Sequence, residues 1–236
     1  MFRSLSNYLS NILWEIDLPK PMSDMNIHLD LGCGNNPRNP FKAIQMIGCD
    51  VIDSNQINIA CPYVQCDVSE KLPFETNSFS SVSAYDVIEH IPRLVRENEK
   101  VVYPFVNLMS EIYRVLKPGG IFYAITPMFP SSAAFGDPTH VNFITKETVN
   151  YFADSCHAKT LGYGFDGNFK LIFADWLRGA GPFDTSESLF GKISANPSSM
   201  ESILASCKLL NRYIRRISNH RPTHSLWVLQ KPKLDH

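Results

Sequence analysis

Ile27-His28-Leu29-Asp30-Leu31-Gly32-Cys33-Gly34-Asn35-Asn36-Pro37 is the stretch whose reading decides the fold. Ile27, Leu29 and Leu31 alternate as in a strand covered on at least one face. Asp30 stands where that strand runs out. Gly32 and Gly34 flank a single residue, and Asn35-Asn36-Pro37 continues the turn. Glycine accepts positive φ there and lets backbone amides approach a ligand. In an open parallel α/β sheet such a turn lies at the carboxyl end of a strand, where ligands bind. A dinucleotide fingerprint would place glycine where Pro37 stands, so the turn does not match a pyrophosphate site. A nicotinamide-dependent oxidoreductase fits poorly for that reason.

Working outward, residues 46–51, 63–66 and 79–85 read as the next three strands, the second of the sheet ending near Asp50 and the third at Asp67. The connection after the glycine turn is short, with Pro37 and Pro40 leaving room only for a small or irregular crossover. Residues 98–116 read as a helix with Val101, Val102, Phe105, Leu108, Met109, Ile112 and Leu116 on one face, ended by Pro118-Gly119-Gly120. Ile121–Thr126 is a fifth, central strand. Residues 127–142 form a long loop, and Thr145 is placed to cap a following helix. Residues 169–176 and 225–230 close the sheet, as a possible antiparallel pair around a large insertion. Residues 4–16 carry apolar positions at helical spacing, and 199–217 read as a helix bearing Lys208, Arg212, Arg215 and Arg216. The expected architecture is a doubly wound, mostly parallel seven-stranded α/β sheet with a C-terminal insertion. It forms one domain over 1–236, with an N-terminal helix in 1–20 and an insertion with a basic helix at 178–222.

The chain has 236 residues, 44% of them hydrophobic, and a formal net charge of -1. That suits one α/β domain and speaks against a dedicated nucleic-acid binder. Of the six cysteines, Cys49, Cys61 and Cys66 form a loose cluster. No Cys-x-x-Cys and no zinc spacing occurs, so free thiols, no metal site and a reducing cytoplasm are expected. No stretch is long and apolar enough to span a membrane, and residues 1–20 do not read as a signal peptide.

A series of pieces in order resembles the class I S-adenosylmethionine-dependent methyltransferases. It comprises Asp30-Leu31-Gly32-Cys33-Gly34, Gly48-Cys49-Asp50, Cys66-Asp67-Val68, Leu72-Pro73-Phe74, Asn77-Ser78-Phe79-Ser80, Val87-Ile88-Glu89-His90-Ile91 and Arg114-Val115-Leu116-Lys117-Pro118-Gly119-Gly120. Ser80 stands where that family more often has Asp. The short crossover looks like a compact branch whose turn reads Gly-Cys-Gly-Asn-x-Pro. The resemblance implies a Rossmann-like methyltransferase fold and S-adenosylmethionine as cofactor. Asp30, Gly32, Cys33, Gly34 and Asn35 would form the turn around the methionine portion, lined further by Tyr85 and Asp86. Asp50, with Val51 beside it, would accept from the ribose hydroxyls, Asp53 being the alternative. Asp67 and the Val68 amide would meet the adenine.

For the acceptor, His90 at the end of the fourth strand and the Asp137–His140 pair in the long loop are candidate bases, and all three can equally serve loop structure. Tyr85, Phe129 and Phe135 could wall the acceptor pocket or pack in the core. The expected activity is methyl transfer to oxygen or nitrogen of a small-molecule or glycan-type acceptor. The alternatives are a non-catalytic methyltransferase-like subunit and an RNA methyltransferase using the basic helix.

Overall fold

A computed structural model describes residues 26–153, 162–177, 183–184 and 223–233. Its centre is a seven-stranded sheet in the order β3-β2-β1-β4-β7-β9-β8. The strands are β1 Ile27–Leu31, β2 Gln45–Asp50, β3 Tyr63–Gln65, β4 Phe79–Tyr85, β7 Leu116–Pro127, β8 Lys170–Trp176 and β9 His224–Gln230. The first five are parallel neighbours, while β9 runs antiparallel to both β7 and β8. Chain order reverses between β1 and β4, which makes the ends of these two strands the switch point where ligands bind in such sheets.

β4 is buried at every residue, as a central strand covered on both faces must be. Alternation along β1 splits its side chains between two cores. Leu29 and Leu31 join Val82, Leu108, Met109 and Ile112 on one face. His28 and Asp30 point to the other, where Phe41, Tyr85, Ile121, Tyr123 and Leu226 gather. The first face is covered by helix α1, Pro104–Val115, whose Phe105, Leu108, Met109, Ile112 and Val115 are all buried. The loop after β3 is tied to this helix by polar groups. Arg114 donates to the carbonyls of Leu72 and Phe74, and Glu111 accepts the Leu72 amide.

The helix is shorter than its apolar periodicity suggests. Val95–Glu97 (β5) and Lys100–Val102 (β6) form a hairpin, turned by Asn98 and Glu99 at φ 46° and 68°. Positive φ at both turn residues matches strand twist in a two-residue loop. Val101 and Val102 therefore belong to a strand, and Pro104 opens the helix at a position where its missing N–H is not needed. At the other end Leu116 is already extended and pairs with Phe79, so Lys117-Pro118-Gly119 lies within the irregular start of β7. The helix expected after Thr145 is also different. The Thr148 amide donates to the Thr145 carbonyl, and a single 3-10 turn follows at Thr148–Tyr151. The crossover after β1 carries no helix, as its prolines imply. The helices read at 4–16 and 199–217, and the rest of the insertion apart from Phe183 and Asp184, lie outside the described residues.

The free-thiol reading fails for two cysteines. Cys49 and Cys66 sit on and just past adjacent parallel strands and form a disulfide with Cα atoms 6.1 Å apart. Cys33 is a buried free thiol. The bond spans 17 residues, and closing such a loop in the unfolded chain is worth about 3 kcal/mol. Peptide mapping without reductant should recover residues 49 and 66 in linked peptides, and reduction should lower the unfolding midpoint by several degrees; unlinked peptides would refute the bond.

Candidate active site

The glycine turn is bound from both sides by carboxylates. Asp30, 2% exposed, accepts the Arg38 amide at 2.7 Å on one oxygen and the Ser83 hydroxyl at 2.5 Å on the other. Asp50 at the end of β2 accepts the Gly34 amide at 2.9 Å and the Ile52 amide at 3.2 Å. The Cys33 amide donates to the Cys49 carbonyl, and the Asn35 side chain accepts the Asn58 amide. The turn is therefore folded over the ends of β1 and β2. Gly32 and Gly34 both take positive φ, 61° and 50°. A Cβ at Gly32 would lie 2.4 Å from Val87 Cγ2, whereas one at Gly34 would meet nothing within 4 Å.

Burial pushes the Asp30 carboxyl up from 3.8 to about 7, against the bonds from Ser83 and Arg38. The folded chain thus holds this proton more tightly than the unfolded one, so ionising Asp30 lowers stability as pH rises from about 4 through 7 unless a cation is beside it. Behind Asp30 lies His28, fully buried. Its ring nitrogens lie 2.8 Å from Ser81 Oγ and 2.9 Å from Ser83 Oγ. Ser83 gives its hydroxyl proton to Asp30, so it accepts from His28 Nε2–H. Burial drives the His28 value down to about 3, which keeps the ring neutral. Sequence reasoning missed this chain. Its signal is present, because His28 and Asp30 alternate on β1 directly opposite Ser81 and Ser83 on β4.

Arg38 was also missed. Its guanidinium lies 4.1 Å over the Tyr85 ring, and its buried Nε has no hydrogen-bond partner among the described residues. Tyr85 and Tyr123 donate to the two oxygens of Asp184 at 2.7 and 3.1 Å. Asp86, at φ 56°, pairs with His224 Nε2 at 3.1 Å. Burial raises the Asp86 carboxyl, but the His224 bond and the charges of His224, Arg38 and His140 outweigh it and hold it below its usual value. Toward the sheet edge, Asp67 is exposed and accepts the amide and hydroxyl of Ser69, while Val68 is buried and Val51 exposed. Asp53 caps the 3-10 turn Ser54–Gln56.

The three acceptor-side candidates come together. The loop after β7, which contains the short helix α2 Ala133–Gly136, folds back so that the Val141 and Asn142 amides donate to the Glu89 carbonyl. Asn142 also donates to the Ile88 carbonyl and accepts from Arg93, whose guanidinium reaches the Phe143 carbonyl. His90 and His140 then stack edge-on with ring centroids 4.8 Å apart. Thr139 donates its hydroxyl proton to Asp137 at 2.6 Å and lies 3.0 Å from His90 Nδ1, so it accepts from His90 Nδ1–H. His140 Nδ1 donates to the Ala134 carbonyl at 3.4 Å. Both rings therefore present an unprotonated Nε2 when neutral. The Thr139 bonds hold the Asp137 carboxyl below its usual value. Glu89, 1% exposed, accepts from Thr126 on one oxygen, and burial pushes its carboxyl up to about 8.

Phe129, Phe135 and Phe143 stand on the same loop at 52%, 50% and 43% exposure. Phe135 stacks on Phe143 at 4.9 Å and meets Phe129 edge-on at 6.2 Å. Phe129 and Phe135 are surface groups and not core, whereas Tyr85 is buried.

Gly32→Ala should destabilise the fold by roughly 2–4 kcal/mol, because left-handed strain adds to a collision with Val87; Gly34→Ala should cost about 1–2 kcal/mol from strain alone. Urea unfolding of the two variants checks the order, and equal losses would contradict the placement of Gly32 against Val87.

Residues 29–124 match the family described as "Methyltransferase domain". A sterol 24-C-methyltransferase from Kluyveromyces lactis is 31% identical over 117 residues, which is 43% of this chain and 28% of that enzyme. The chain thus spans less than a third of the curated relative it matches. The crystal structure of a SAM dependent methyltransferase from Archaeoglobus fulgidus superposes with a TM-score of 0.53 at 17% identity, covering 98% of this chain and 95% of that one. That likeness shows the fold. The matched segment carries most of β1, then β2, β3, β4, α1 and most of β7, with the glycine turn and the ends of the strands that hold it. Residues 29–124 thus match a methyltransferase domain, and the fold that carries them is that of a solved SAM dependent methyltransferase.

Proposed function

We propose that this protein transfers a methyl group from S-adenosylmethionine to an oxygen or nitrogen of a small-molecule or glycan-type acceptor. The observation that carries this reading is the glycine turn clasped between Asp30 and Asp50 at the switch point of the sheet, inside the segment that matches the methyltransferase domain. Asp50 has two oxygens that each accept one amide, and a carboxylate offers about four lone-pair sites, so both can also accept ribose hydroxyls. Asp67 and the Val68 amide take the adenine, with Val51 as an apolar wall. Asp30 draws the cationic methionine end through water. Arg38, beside Tyr85 with an Nε that has no hydrogen-bond partner among the described residues, faces its carboxylate, and Asp86 completes that side.

Methyl transfer is an in-line displacement at an activated sulfonium carbon, so placing the acceptor and excluding water supply most of the rate. The nucleophile attacks the methyl carbon, the carbon–sulfur bond breaks, and S-adenosylhomocysteine leaves. A hydroxyl acceptor must lose its proton on the way. His140 and His90 present lone pairs for this, with Asp137 and Thr139 fixing the His90 tautomer. The exposed Phe129–Phe135–Phe143 shelf suits the apolar face of a sugar ring or another flat acceptor. The sterol named for the curated relative is a second acceptor class that such a shelf would suit. The reading of an RNA acceptor rested on the basic helix at 199–217, outside the described residues.

Calorimetry should give 1:1 binding of S-adenosylmethionine and S-adenosylhomocysteine and none of NAD; failure to bind either would remove the methyl-transfer reading. Asp50→Ala should weaken binding roughly ten- to hundredfold, as expected for lost bonds to a charged acceptor, and Asp50→Asn less. His140→Ala should lower turnover on an identified acceptor with cofactor affinity unchanged.

The pH dependence has a definite sign. A ligand bearing positive charge near Asp30 favours the ionised carboxyl, so affinity for S-adenosylmethionine should rise with pH through about 7 and then level. Binding at pH 6 should release a proton, seen as a buffer-dependent enthalpy. Asp30→Asn should abolish that release.

A further inference from the structure

Glu89, His90 and His140 place one ligand atom each within 4.8 Å of one another. Two lie in the 3-10 turn Ile88–His90 that follows β4 and one in the loop 50 residues later, so no spacing in the sequence announces them. The hydrogen bonds of the rings leave one nitrogen of each for a ligand bond. Each imidazole donates its Nδ1–H to an oxygen, His90 to Thr139 and His140 to the Ala134 carbonyl, which leaves a lone pair on each Nε2, that of His140 lying 4.0 Å from Asp137 Oδ2. The chain His90–Thr139–Asp137 is the kind of outer hydrogen bonding that fixes tautomer and basicity in metal-bound histidine. Independently of the rings, Glu89 Oε1 is buried and has no hydrogen-bond partner among the described residues, whereas Oε2 takes the Thr126 hydroxyl. An unpaired carboxylate oxygen in such a place is costly and calls for a cation or a proton.

We propose that Glu89, His90 and His140 bind a divalent first-row transition cation, with at least one position left open toward the acceptor. Two imidazoles and one carboxylate suit zinc, manganese, cobalt or iron(II) better than magnesium or calcium. Metal–ligand bonds of about 2.0–2.2 Å need the three atoms drawn together by roughly an ångström, within reach of side-chain adjustment alone. A cation here would take an acceptor oxygen at its open position and lower its pKa, so the proton could leave to solvent without a free histidine acting as base. That use rests on the methyl-transfer reading; the cation site does not.

The test uses the full chain after chelator treatment, titrated with Mn2+ followed by electron paramagnetic resonance, and with Co2+ followed by visible absorption. One saturable site is expected for each. Glu89→Gln, His90→Ala and His140→Ala should each weaken it at least about tenfold. S-adenosylhomocysteine affinity, measured on the same preparations, reports whether each variant is folded. Glu89→Gln keeps the shape of the side chain and serves if a histidine variant fails that check. No saturable Mn2+ or Co2+ site, or binding unchanged in Glu89→Gln and in the folded histidine variants, would overturn the proposal. Cation binding without any S-adenosylhomocysteine binding in the parent chain would uphold the cation site and sink the methyl-transfer reading.

Discussion

The carboxylate of Asp30 is the group on which the ligand end of this sheet depends. It is buried where β1 stops, and a buried carboxylate is tolerated only if its oxygens are bonded. One oxygen pulls the chain back after the glycine turn by accepting the Arg38 amide; the other binds β1 to β4 through Ser83 and, behind it, His28. The turn can fold back so tightly because Gly32 leaves room for Val87, two residues past the end of β4. Burial, which raises the pKa of Asp30, and bonding, which lowers it, are set against each other in one side chain. A cationic ligand would tip that balance toward the ionised form.

The side proposed to face the acceptor is built by a different device. A long connection is held by backbone amides and by one amide side chain. Asn142 and Val141 seat the loop on residues 88–89, and Arg93 clamps it from outside. That docking brings His140 onto His90 and leaves three phenylalanines exposed. Exposed aromatic rings that stack on one another are costly to leave wet, and they suit a site that an acceptor covers. The proposed cofactor and acceptor sides meet where β4 ends and the 3-10 turn after it begins, with Tyr85, Asp86, Glu89 and His90 within six residues.

Much of the fold is legible in the residues because it depends on local patterns. The alternation in Ile27–Leu31, the largely apolar stretch Ile121–Thr126 and the aspartates near the ends of three successive strands need no knowledge of the rest of the chain. Where one local pattern fits two periods, it misleads. Val101 and Val102 fall in helical register with Phe105, yet Asn98-Glu99 makes them a hairpin strand and Pro104 starts the helix. Thr145 looks like a cap because its type is right, but its carbonyl serves the Thr148 amide in a single turn.

By itself the sequence determined the parallel order of the first strands, the glycine turn and the aspartates placed around it, since each depends on backbone preference and burial within a few residues. Only the tertiary structure decided which side chains meet. Cys49 with Cys66, His28 with Ser81 and Ser83, and Glu89 and His90 with His140 are brought together by strand register and by loop docking. The physical reason is that hydrogen-bond and coordination geometry depend on distances of a few ångströms between residues far apart in the chain, and hydrophobic periodicity carries no record of those distances.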